Sequence, residues 1–124
     1  MNDSDTILVS ELSESFQLQL SMYRELRDTV RSILSKLILS RGDVAGLMSG
    51  IEKKKKLLEA IEQERTRSSE NVALWQERRT LYPVNGEIQA LNDILGQTES
   101  VIKEFLDGED QLKNYLEKMY RKDS

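Results

Sequence analysis

Residues 12–37 read LSESFQLQLSMYRELRDTVRSILSKL, and the spacing of their apolar side chains decides the fold. Leu12, Phe16, Tyr23, Leu26, Val30, Ile33 and Leu37 recur at alternating intervals of four and three, with Gln19 the polar member of the series. That is the seven-residue repeat of a helix packing along one seam. Leu20 and Leu34 widen the stripe, which suits a bundle with more than one neighbour better than a two-stranded rod. The pattern predicts a first helix over about residues 7–40.

Downstream, Arg41, Gly42 and Asp43 read as a stop and restart. Gly42 suits a left-handed helix end, and Asp43 suits a cap for the next helix. So short a connection sends the second helix, over about residues 43–82, back along the first. It repeats the seam with Val44, Leu47, Ile51, Leu58, Ile61, Val72, Trp75 and Tyr82, but Lys54, Arg65, Ser68 and Arg79 hold core-phase positions within it. From Glu62 to Asn71 every residue is polar or charged. This stretch is either a segment beyond the reach of its neighbours or a local hinge, and its good helix formers favour the first.

Tyr82, Pro83, Val84, Asn85 and Gly86 form the second connection, because the residue before Pro leaves the helical region and Asn-Gly favours a turn. A third helix over about residues 87–120 then carries Ile88, Leu91, Leu95, Ile102, Phe105, Leu112, Leu116 and Met119, interrupted by Thr98 and Glu109. Asp107 and Gly108 predict a bend or break within it, since a helical Gly costs about 1 kcal/mol relative to Ala. The expected architecture is all-α: three long antiparallel helices in one elongated bundle or coiled coil.

Composition supports that class and excludes others. The 124 residues suffice for one domain, and 32% of them are charged. The 22 acidic and 18 basic residues are interspersed, for a net charge of -4, so no broad cationic face is offered to nucleic acid. The chain has no Cys and no His, which removes disulfides, thiolate and imidazole metal ligands and the usual general base.

Glu62 with Glu64, and Glu109 with Asp110, are spaced to lie on different faces, and no Gly-rich phosphate loop occurs. We therefore expect no catalytic residues, metal, cofactor or small-molecule substrate, and no enzymatic activity. Lys53 to Lys56 wrap slightly more than one turn, which reads as a solvated face rather than a docking patch. Asp3, Asp5, Glu11 and Glu14 make the opening unlike a secretory signal, and no apolar run reaches the roughly 20 residues of a membrane span. A cytoplasmic location without membrane insertion is expected.

A slender bundle has more apolar side chains than it can bury, and the surplus is candidate binding surface. Ile94, Val101 and Tyr115 lie seven or fourteen residues apart on a phase shifted by one position from the third helix's core series, and Tyr120 extends the apolar end. These four are the candidate partner-binding residues, suited to helix-in-groove recognition. For Ile94 and Val101 the competing reading is that they face the third member of the bundle.

Gly42, Asp43, Val44, Leu47, Ile51, Lys55, Leu58, Ile61 and Glu64 resemble the central segment of the FlgN family, in which a Gly-Asp restart precedes an apolar repeat with a central Lys. The resemblance implies a flagellar export chaperone. Such a protein binds the C-terminal helical segments of hook-filament junction proteins, keeps them unpolymerised and delivers them to the export apparatus. It also implies a substrate-binding region toward the C-terminus, where Ile94, Val101, Tyr115 and Tyr120 lie. Two alternatives use the same features: a structural coiled-coil subunit that self-associates or bridges an assembly, and an adaptor docking on a secretion ATPase through Lys53 to Lys56.

Overall fold

The computed structural model describes residues 2–41, 44 and 46–122, apart from the side chains of Tyr120 and Lys122. Among these residues the chain forms four α-helices and no strand: α1 (Asp3–Leu39), α2 (Leu47–Arg67), α3 (Ser69–Arg78) and α4 (Gly86–Lys122), with a 3-10 turn at Arg79–Leu81.

The helix ends follow from local chemistry. Asn2 caps α1, its side-chain oxygen accepting the Asp5 backbone N–H at 2.8 Å, and Asp3 and Asp5 complement the positive end of the helix dipole. Past the other end, Arg41 takes the left-handed conformation at φ 57°, one residue before the Gly expected to do so. Gly42 and Asp43 lie outside the described residues, and α2 begins at Leu47 rather than at the anticipated cap. Asn85 caps α4 by accepting the Ile88 N–H at 2.9 Å, so it starts a helix where the sequence suggested a turn.

The expected second helix is two helices, α2 and α3, meeting at Ser68. Hydroxyl groups account for the interruption. Ser68 Oγ donates to the Arg65 carbonyl at 3.3 Å and Ser69 Oγ to the Thr66 carbonyl at 2.8 Å, drawing those carbonyls out of the helical ladder. The Ser68 N–H still reaches the Glu64 carbonyl at 3.0 Å, so the interruption is one residue long and the chain continues in the same direction along α1.

Nor does the polar stretch 62–71 lie beyond its neighbours. Glu64 and Ser68 are buried, as are Ser15 and Gln19 on α1. Gln19 donates to Ser15 Oγ at 3.2 Å, and Arg67 grips both Glu64 oxygens, its Nε at 2.8 Å from Oε2. A polar layer therefore occupies the seam where the sequence showed only an interruption.

The Arg67 hydrogen bond is the main reason that the Glu64 carboxyl titrates below its ordinary range, reinforced by Ser15 and opposed by burial. With the folded-state value below the unfolded one, the contribution is complete above the unfolded carboxylate value near ~4.3 and is lost as pH falls through the folded value. Thermal midpoints measured from pH 6 to pH 2 should fall less steeply for Glu64→Gln than for the native chain.

The break expected at Asp107–Gly108 is absent, and α4 runs unbroken through both residues. Gly108 serves close packing instead: a Cβ there would stand 3.3 Å from Val30 Cγ1.

Helix α1 is the central element. Arg24 donates to Gln97 at 3.0 Å, Arg31 to Glu104 at 2.7 Å and the Tyr115 hydroxyl to the Leu37 carbonyl at 3.3 Å, so numbers rise together along α1 and α4. In the other direction Arg78 reaches Asp5 at 3.3 Å, Asn71 reaches Glu11 at 3.0 Å, and Gly50 sits over Ile33. No Cα of α2 or α3 lies within 8 Å of one on α4 among the described residues.

The core is accordingly distributed along α1. One apolar cluster joins Leu8, Val9 and Leu12 to Trp75, Ile88 and Leu91; a second sets Leu20 against Ile94 and Val101; a third gathers Leu26, Val30, Ile33 and Leu37 with Ile61, Phe105 and Leu112. Helix α2 approaches α1 tightly at Gly50, where an added Cβ would meet Ile33 Cγ1 at 2.6 Å. Gly50→Ala should therefore lower stability by about 1 kcal/mol in urea titrations, overpacking outweighing the gain in helix propensity. At Gly96 nothing stands within 4 Å of an added Cβ, so the same change there should raise stability by about 0.5–1 kcal/mol.

Candidate interaction surface

Each outer helix carries two adjoining apolar stripes, and only one of them can face α1. On α4 the stripe through Ile94, Val101 and Gly108 takes that place together with Leu91, Phe105 and Leu112. Ile94 is 9% exposed and Val101 5%, so both are core residues, and the surplus stripe expected at these positions is corrected. Tyr115 is half-buried against the third cluster with its hydroxyl bonded to α1. Tyr120 belongs to α4, but its side chain lies outside the described residues.

Of the series first assigned to the core on α4, Ile88, Leu91, Phe105 and Leu112 are buried, whereas Leu95, Ile102 and Leu116, with Glu109 between them, are only half-buried. On α2, Gly50, Leu57 and Glu64 fall on the side toward α1 together with Ile61, which the sequence had placed in the seam. Ile51 and Leu58 remain 44% and 41% exposed.

These leftover stripes border one open groove. Ile33 and Leu112 line it together with Leu47 and Ile51 from α2 and Leu116 from α4, in a volume of about 400 Å³. Heptad spacing extends the same faces to Leu58 on α2 and to Ile102 and Leu95 on α4. No described helix covers this groove between α2 and α4.

Lys54 and Glu109, each a polar interruption of its seam, meet across this groove with Nζ 2.6 Å from Oε1. Their side chains are only 25% and 28% exposed. The approach is charge to charge rather than along a hydrogen-bond axis, and Glu109 Oε1 is otherwise buried without a hydrogen bond. The pair is the cross-link holding the groove's two walls in register.

The lysine run divides accordingly. Lys54 turns toward α4, Lys53 lines an open cleft of about 900 Å³ between α1 and α2, and Lys55 and Lys56 are exposed. Further exposed apolar residues gather where α1 ends and α2 begins: Ile38, Leu39, Val44 and Met48. Among the described residues no group of three or more acidic, His or Cys side chains is placed to hold a metal ion. No described helix is long and apolar enough to cross a membrane.

Periodicity placed Ile61, Trp75, Ile88, Leu91, Phe105 and Leu112 in the core, where they lie, but preferred Leu95 and Ile102 to Ile94 and Val101 there, and it offered no second stripe on α2. The signal that could have corrected this is the pair of glycines: Gly50 and Gly108 lie on the stripes that approach α1, where absence of a side chain permits contact. No protein-family model, curated protein or solved structure matches the chain.

Proposed function

We propose that the chain is a non-enzymatic protein-binding module that shelters an amphipathic helix of another protein in the groove between α2 and α4. The observation that carries this is the open apolar groove itself, walled by Leu47 and Ile51 on one side and by Leu112 and Leu116 on the other, whose faces heptad spacing continues to the half-exposed Leu58, Ile102 and Leu95. Here the chain acts as an elongated up-down-up bundle of three rods whose fourth rod is supplied by the client.

The FlgN-like segment points to the setting: a cytoplasmic flagellar export chaperone holding C-terminal helices of hook-filament junction proteins. Several residues of that segment, Leu47, Ile51 and Leu58, belong to the α2 wall. Binding energy would come from apolar burial and selectivity from the charged rim.

Titration calorimetry with C-terminal peptides of hook-filament junction proteins from the same organism tests the proposal. Binding near about 1 μM is expected for the native chain. Ile51→Asp with Leu116→Asp should weaken it at least about 100-fold, each apolar anchor contributing roughly 1.5–3 kcal/mol. Unaltered circular dichroism would separate this loss from unfolding. Absence of binding by the native chain, or binding indifferent to both substitutions, refutes the proposal.

The apolar residues at the α1–α2 end favour a second reading, a coiled-coil subunit that assembles with copies of itself. A mass by light scattering above the monomer that Leu39→Asp and Met48→Asp reduce would support it.

A further inference from the structure

We infer that the Lys54–Glu109 pair selects the helix that enters the groove, favouring one with an Asn or Gln at the centre of its otherwise apolar face. The inference rests on the docking proposal above and adds the chemistry of the partner. A helix lying over Ile51, Leu112 and Leu116 would exclude water from the pair, which lines the same groove. The pair is already three-quarters buried, and each ion has its main partner in the other.

An ammonium carries three donors and a carboxylate several acceptor sites, so one mutual contact leaves capacity on both. A quarter of each side chain is still open to solvent, and a wholly apolar helix would close that opening without supplying a polar partner. Closing such a site over an incompletely bonded pair is penalised.

An amide side chain matches both members at once. Its oxygen can accept from Lys54 Nζ while its N–H donates to Glu109, with no net charge brought into the groove. A lysine or glutamate in the same place would satisfy one member and repel the other. A single polar residue in an apolar seam also fixes register, since a one-turn slip would bury the amide against leucines instead. Apolar residues three or four positions to either side would then meet Ile51 and Leu116.

The test uses the full chain and a displayed library of helical peptides with apolar heptad positions and one randomised central position. It is run in parallel on the native protein and on Lys54→Met/Glu109→Leu. Replacing a buried ion pair with apolar side chains is commonly neutral or stabilising, and thermal melts would verify that the variant folds.

On the native chain Asn and Gln should be enriched over Leu by at least about fivefold, and on the variant the order should reverse. The same central residue enriched on both proteins overturns the selection by this pair and leaves docking intact. Enrichment of no helix on either protein overturns the docking proposal itself. A native dimer that Ile51→Asp dissociates would instead assign the groove to a second copy and overturn the choice of a partner helix.

Discussion

Val101→Asp is expected to unfold the chain at room temperature, whereas Ile51→Asp should leave the circular dichroism spectrum and melting temperature nearly unchanged. Both substitutions exchange a β-branched residue for a carboxylate on an outer helix. Val101 is packed with Leu20 and Ile94 in the core between α1 and α4. Removing its apolar contact forfeits about 1.5–3 kcal/mol, and burying an unpaired carboxylate adds several more. Against a total stability of about 5–15 kcal/mol, weighted to the low end by a slender shape, that is enough to abolish folding.

At Ile51 the introduced charge would stand at the open groove, in water. Ile94→Asp should behave as Val101→Asp does. Loss of client binding in either core variant would therefore report unfolding, and only the groove variants bear on recognition. If Val101→Asp stayed folded while Ile51→Asp collapsed, the assignment of the two seams would be reversed.

That contrast also marks how far the sequence could be read. The seam of α1 was legible almost residue by residue, because α1 is covered on two sides and its wide stripe leaves little choice of phase: Leu12, Leu26, Val30, Ile33 and Leu37 are all buried. An outer helix is different. Three-residue and four-residue spacings from Leu91 lead with equal regularity to Ile94 or to Leu95, and periodicity carries no information about the side on which α1 lies.

Polar residues were misread for a related reason. Gln19 and Ser68 looked like blemishes in separate helices, yet they belong to one buried layer, and Lys54 and Glu109 are partners. A compensating pair distributed over two helices looks, in each alone, like a weak point. The interruption at Ser68 was foreshadowed by three hydroxyl residues among Thr66, Ser68 and Ser69, a signal of backbone hydrogen bonding rather than of hydrophobic pattern.

Leu26→Ala is expected to lower stability by about 2–5 kcal/mol, the cost of deleting most of a fully buried side chain where packing cannot collapse. Leu26 is entirely inaccessible and lies in the cluster that joins α1 to both Ile61 and Phe105. Leu58→Ala, on the outer face of α2, should cost only about 1 kcal/mol, since Leu58 keeps 41% of its surface in water.

Urea titrations followed by two probes make the pair more informative. The single Trp75 packs at the opposite end of the bundle, its ring 5.6 Å from that of Tyr82, while circular dichroism averages over all helices. The polar layer of Ser15, Gln19, Glu64 and Ser68 separates these two ends on the α2–α3 side, but α1 and α4 run continuously past it. Cooperativity must then be transmitted through those two long helices. If it is, Leu26→Ala will shift the tryptophan and dichroism midpoints equally. A tryptophan transition that stays in place while the dichroism midpoint falls would divide the chain into two folding units at the polar layer, with the groove belonging to the unit that contains Leu26.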